Sequence, residues 1–198
     1  MKDLSFPLQF NFKISTLSND FTVKDANGTT VSYIKQKMFK LVEDISIYKD
    51  ESKAEVYYNI KADRWLDFSA AYNMTNKFGN FIGKVARKGW ASIWKARYEI
   101  YDEHNQQDLL IQEENPWVKV LDALLCEIPF LGIISGYFFN PAYVVSRPDG
   151  TAVARLQKEP SFWGRKFTVS KLSAFQSGEE ERLVLGLMMM ILLERRRG

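Results

Sequence analysis

Residues 176–197 constrain this chain more than any other segment. Glu179, Glu180 and Glu181 lead into Leu183-Val184-Leu185-Gly186-Leu187-Met188-Met189-Met190-Ile191-Leu192-Leu193, and Glu194, Arg195, Arg196 and Arg197 follow. Ser177 and Glu180 have capping-box spacing. The glutamates suit the positive end of a helix dipole and the arginines its negative end. Between them no helical angle offers a polar face, so the helix must be surrounded on every side. Eleven apolar residues rise roughly 17 Å, whereas a bilayer core needs about 30 Å. The expected surroundings are therefore protein, and the rest of the sequence has to supply a sleeve.

The sequence before the helix is rich in short alternating segments. Leu8, Phe10, Phe12 and Ile14 alternate with Gln9, Asn11 and Lys13, the pattern of a half-buried strand. Phe21–Lys24 and Thr30–Ile34 flank Asp25-Ala26-Asn27-Gly28, a turn with glycine available for positive φ. Further strands are expected over Phe39–Tyr48, Ala54–Ile60, Trp65–Tyr72, Phe81–Arg87, Ile93–Tyr101, Leu109–Glu113, Ala142–Arg147, Thr151–Gln157 and Arg165–Leu172. About a dozen strands on hairpin-length links argue for an antiparallel sandwich or barrel. An eleven-stranded can already holds a central helix, so about twelve strands suit the terminal one. The predicted fold is mainly β (α+β): a single domain over 1–198, a closed antiparallel barrel around a buried hydrophobic helix at 178–195.

One stretch breaks the pattern. Asn115-Pro116 resembles an N-cap with proline at the first helical position. Trp117, Val120, Leu121, Leu124, Leu125 and Ile128 then form a helical stripe, and Pro129 ends it. Residues 130–139 follow without a charge. Lys119, Asp122 and Glu127 make a membrane span costly. The expectation is a short helical insertion near 116–139, packed on one barrel end, with Phe130, Leu131, Ile133, Ile134 and Phe138 offered as an interface or membrane contact.

Composition narrows the function. Hydrophobic residues at 46% and charged residues at 26% suit a soluble globular chain. The single cysteine, Cys126, excludes an internal disulfide framework and fits a reducing compartment. Met1-Lys2-Asp3-Leu4-Ser5 runs straight into alternation, so no signal peptide is expected and the cytoplasm is the default. A net charge of +3 falls short of a nucleic-acid binder's signature, and no nucleic acid partner is expected. His104, the one histidine, sits in a polar turn away from Cys126, so a Cys–His nucleophile pair is not expected. No metal-ligand spacing or phosphate-cradling loop appears either. Neither an enzyme, a cofactor nor a metal is predicted. Met188-Met189-Met190 reads as adaptable core filling.

The basic residues offer a binding surface. Lys84 and Lys88 share the face of their strand opposite Val85. Lys95 and Arg97 share the face opposite Trp94, Ala96, Tyr98 and Ile100. If the two strands pair, Lys84, Lys88, Lys95 and Arg97 form an outward patch beside Trp90, interleaved with Glu99. Such a patch would attract anionic headgroups at about 1 kcal/mol per cation.

Many short strands closed by a wholly apolar C-terminal helix resemble the tubby C-terminal-like superfamily. Within it the chain is most similar to the LURP-one-related and phospholipid-scramblase-like branch. Ile82-Gly83-Lys84-Val85-Ala86-Arg87-Lys88-Gly89-Trp90-Ala91-Ser92 is similar to that branch's Gly-x-[Ile/Val] strand before a Trp/Ser hairpin. Tyr98-Glu99-Ile100-Tyr101-Asp102 resembles the aromatic strand and acidic turn that follow, and Phe167-Thr168-Val169 before the helix matches the family's ending. The resemblance covers nearly the whole chain outside Trp117–Phe139. It implies a twelve-stranded barrel threaded by a helix and a non-enzymatic binding module, docking on an anionic lipid surface or a protein partner, cytoplasmic or peripheral to a membrane. A scramblase would add a proline-rich tail, a cysteine cluster and an acidic calcium loop. Cys126 stands alone and Ala174-Phe175-Gln176-Ser177-Gly178 supplies no ligand set, so calcium-driven scrambling is not expected. The alternative is a structural or oligomerisation protein using 128–139 as an interface; the oligomeric state stays open.

Overall fold

In a computed structural model, describing residues 3–12, 20–36, 44–63, 71–87, 97–114, 141–160 and 166–195, the alternating segments close on themselves. Twelve strands form one antiparallel barrel: β1 (Leu8–Phe12), β2 (Phe21–Lys24), β3 (Thr30–Gln36), β4 (Asp44–Tyr48), β5 (Val56–Ala62), β6 (Ala71–Asn76), β7 (Phe81–Arg87), β8 (Arg97–Tyr101), β9 (Gln107–Glu113), β10 (Ala142–Ser146), β11 (Ala152–Lys158) and β12 (Lys166–Lys171). Each strand pairs with its sequence neighbours, and β1 pairs with β12 to close the ring. The final element, α1 (Glu179–Arg195), runs through the lumen.

The period-2 pattern decides what faces inward. Leu8, Phe10, Ile45, Ile47, Ile60, Val85, Ile100, Leu109, Ile111, Val145, Leu156 and Val169 have no exposed surface. Residues 183–185 and 187–192 of α1 are equally buried, none above 2% exposure. Each such side chain gains about 1.5–3 kcal/mol on leaving water, which explains why the helix needs no polar face.

One strand runs past the sequence reading. β6 continues past Tyr72 to Asn76, because Tyr72 and Met74 keep the inward alternation while Asn73 and Thr75 face out. The parts of the expected strands at 39–43, 65–70 and 93–96, and the expected insertion at 116–139, lie outside the described residues.

The hairpins at one end share a device. Asp25, Asp50, Asn76, Asp102 and Asp149 each use a side-chain oxygen to accept a bond from the N–H two residues on. Asp25, Asn76 and Asp102 also accept from the N–H four residues on. These are Asx turns, which let a short side chain replace a backbone acceptor. Bonds from Ser52 hold the Asp50 carboxyl below its ordinary range, and bonds from Thr151 do the same for Asp149. The first four turn openers stand 25, 26 and 26 residues apart, so the barrel wall is laid down in two-strand units of nearly constant length. The next interval, from Asp102 to Asp149, is longer and includes the stretch between β9 and β10.

The first turn of α1 fixes the helix in the ring. Glu179 has no exposed surface and takes two bonds from Arg147, 2.7 Å from Nε and 2.7 Å from Nη2. Glu180 accepts from the Leu4 N–H at 2.8 Å. Glu181 accepts from the Tyr58 hydroxyl. Arg182 donates to Asp108 at 2.6 Å and to Glu103 at 3.0 Å. Successive helical residues point about 100° apart, and twelve strands divide the rim into steps of roughly 30°. Arg147 follows β10, Leu4 precedes β1, Tyr58 lies on β5 and Asp108 on β9. Around the ring these anchors are three, four and four strands apart in one direction, or about 90°, 120° and 120°. Four consecutive residues therefore pin the helix on all sides of its mouth.

The expected capping box is displaced by one residue. The Gln176 N–H, rather than that of Ser177, is bonded at 2.8 Å, and the acceptor is Glu179. Glu180 is turned outward to Leu4 instead. Gly178, with φ of 74°, gives the chain its sharp entry.

Candidate functional site

The sequence pointed to the wall formed by β7 and β8, and these strands do pair, with Lys84 opposite Tyr101 and Arg87 opposite Tyr98. Val85, Tyr98 and Ile100 face the lumen, fully buried. Lys84, Arg97, Glu99 and Tyr101 lie on the outer face. The helix backs this wall. A Cβ built on Gly186 would come within 3.0 Å of Ile100 Cδ1 and sit 3.1 Å from its Cγ1. Glycine is what lets α1 lie this close to β8. At Gly83, φ is 146° and a Cβ would collide with the Tyr101 carbonyl oxygen, so that position on β7 also requires glycine.

The outer face is a connected polar row rather than a bare cationic patch. The Lys84 amine lies 5.0 Å from the centre of the Tyr101 ring, a cation–π contact. Tyr101 donates to Glu99 at 2.5 Å, and Arg97 approaches the same carboxylate at 3.5 Å. The Glu99 side chain is 6% exposed, against 45% for Arg97. One carboxylate thus stands between the two cations and offsets part of their field. Lys88, Lys95 and Trp90 lie outside the described residues, as do Phe130, Leu131, Ile133, Ile134 and Phe138. At the edge of the latter group, the Glu114 N–H just after β9 donates to the carbonyl of Ala142, the first residue of β10, at 2.8 Å.

Charge is distributed unevenly along the barrel axis. The links and helix turn at the α1 N-terminal end (residues 3–7, 25–29, 49–55, 77–80, 102–106, 147–151 and 172–182) hold eleven carboxylates and five cations. That end is net −6, whereas the other described residues hold eleven cations and nine carboxylates, net +2. Sequence order hides this polarity, because acids and bases alternate along the chain and separate only when hairpins align.

Several other features have no catalytic arrangement. His104 is exposed in the Asp102–Gln106 turn, as expected. No group of three or more His, Cys, Asp or Glu residues is placed to hold a metal ion among the described residues. No described helix is long and apolar enough to cross a membrane. Tyr58 and Tyr33 have hydroxyls whose pKa values lie well above the ordinary tyrosine value, through burial first and then through bonds to Glu181 and Asp20. Tyr58 and Glu181 lie 123 residues apart, which is why pattern reading missed that pair, whereas Tyr33 and Asp20 are only 13 apart across β2 and β3. A cleft of about 320 Å³ at the helix mouth is lined by Asp3, Lys171, Phe175, Gln176, Glu180 and Glu181, among others.

The described residues form a closed antiparallel barrel filled by its own C-terminal helix. A family model described as LURP-one-related matches residues 30–191. The chain belongs to the LURP-one-related family, within the tubby-like superfamily. No match to a curated protein or to a solved structure was found.

Proposed function

We propose that this protein is a non-enzymatic binding module that meets an anionic lipid surface with the outside of its barrel. The filled lumen supports external binding: the helix occupies the space in which a barrel of this size would hold a ligand. The observation that carries the choice of an anionic surface is the axial charge separation. An acidic rim of net −6 is repelled by such a surface, whereas the other described residues, net +2, are drawn to it, so the molecule arrives oriented. Lys84 and Arg97 lie on the outer wall and would contribute about 1 kcal/mol each near the headgroups.

Co-sedimentation with vesicles tests the reading. Vesicles of phosphatidylcholine with about one third phosphatidylserine should retain the protein at low salt, and pure phosphatidylcholine should not. Retention should fall steeply between about 50 and 200 mM salt, since the attraction is screened. Lys84→Glu with Arg97→Glu should weaken it further. Equal retention on both vesicle types would sink the proposal. Self-association in light scattering, with no vesicle binding, would favour an oligomerisation role instead.

A further inference from the structure

The outer wall at the β1–β12 seam carries a second feature, unrelated to the lipid reading. A groove of about 420 Å³ is lined by Gln9, Asn11, Glu159, Lys166, Phe167 and Thr168. This volume lies in the range of small-molecule sites, about 300–1,000 Å³. Its shape follows from register: Gln9 stands opposite Thr168, and Asn11 opposite Lys166. Leu8, Phe10 and Phe12 on β1 and Val169 on β12 point inward, so the four polar side chains rise together from the outer face. Glu159 joins them where its N–H bonds the Lys166 carbonyl at 2.8 Å.

These side chains differ from polar neighbours elsewhere on the wall. Ser46 bonds Asn59, Lys77 pairs with Glu55, and Arg155 pairs with Glu114 and reaches Gln157. By contrast, no side-chain hydrogen bond or ion pair joins Gln9, Asn11, Glu159, Lys166 or Thr168 to another described residue. Asn11, Glu159 and Thr168 are nevertheless half-buried. Their donors and acceptors converge on one concave space without satisfying each other.

The donor set selects the ligand. Two amides each offer two donors and an acceptor, the threonine hydroxyl offers both, Glu159 only accepts and Lys166 only donates. One charge of each sign makes the groove neutral. An anion's gain at Lys166 is offset by Glu159, and a cation meets the reverse. Hydroxyl groups, each a donor and an acceptor, are the ligand atoms that use every one of these partners.

We propose that this groove binds a neutral saccharide unit. Saturation-transfer difference NMR with free maltose, cellobiose, lactose and sucrose tests it, beside retention on insoluble starch and cellulose to separate free sugar from polysaccharide. The expected result is saturation transfer to at least one neutral sugar, or retention on one matrix, unaffected by 200 mM salt. Asn11→Ala with Thr168→Val should weaken it at least tenfold with an unchanged circular dichroism spectrum. Gln9→Ala, at the exposed lip, serves as the second variant if that pair fails to fold. The proposal is overturned if no sugar or matrix binds at millimolar concentration. It is equally overturned if binding survives the substitutions at full strength. Vesicle binding would be untouched by any of these outcomes.

Discussion

Gly186→Ala probes how tightly the helix fills the barrel. In an ordinary buried helix this change gains about 1 kcal/mol of propensity. Here the new methyl would lie within 3.0 Å of Ile100 Cδ1, 3.1 Å from Cγ1 and 3.6 Å from Val85 Cγ2. Carbon atoms settle at about 3.5–4.0 Å, so Ile100 or the helix must move by several tenths of an ångström or more. Ile100 and Val85 are fully buried, so neither can swing out into solvent. Overpacking of this kind costs about 1–3 kcal/mol, which cancels or exceeds the propensity gain. Ile100→Val alone removes Cδ1 and should cost about 0.5–1.5 kcal/mol. In that background the closest collision is gone and Gly186→Ala should become stabilising. The two substitutions are therefore coupled by about 1–3 kcal/mol in favour of the double variant. Urea unfolding of the four proteins measures the cycle. Additivity within about 0.5 kcal/mol, or Gly186→Ala alone gaining its full propensity, would refute the packing described.

Three further outcomes follow from the same structure. Met189→Asp puts a carboxylate where no surface is exposed, and should cost about 4 kcal/mol or more; near-native melting would contradict a buried helix. Gly83→Ala meets an immovable backbone carbonyl at φ of 146°, so strain of about 1–3 kcal/mol is expected, read as a lower urea midpoint at unchanged slope. Tyr58 is neutral in the fold at pH values where an unfolded tyrosine, near pH 10, ionises. Unfolding then releases a proton, and stability falls as pH rises past about 10. Tyr58→Phe should flatten that fall between pH 9.5 and about 11.5 in thermal melts, and an unchanged slope would remove Tyr58 from the account.

Strand positions and the buried helix were legible because each depends on local periodicity. Leu8, Phe10 and Phe12 show their inward face within five residues, and residues 183–193 lack a polar face whatever surrounds them. Family membership was legible for the same reason, through the segment from Ile82 and the closing helix. What stayed hidden needs the register of the whole ring. Glu179–Glu181 were read as partners of a helix dipole, but each also has its own anchor: Arg147 lies 32 residues away, Tyr58 123 and Leu4 176. Arg182 was passed over in the sequence reading, and only the closed barrel brings Asp108 and Glu103 to it. The outer wall shows the same limit. Lys84 and Arg97 were visible as outward cations, whereas the linkage through Tyr101 and Glu99 depends on how β7 and β8 pair. The seam groove joins β1 to β12, the most distant strands in the sequence.

The central claim is that α1 is the axis of the fold and cannot leave the lumen without unfolding the barrel. Native-state hydrogen exchange of the amides of residues 183–192 tests it most directly. Their opening free energies should equal the global unfolding free energy from urea denaturation and fall with denaturant at the global slope. Exchange through openings several kcal/mol cheaper, with the strands still protected, would mean that the helix leaves an intact barrel, and would contradict the account.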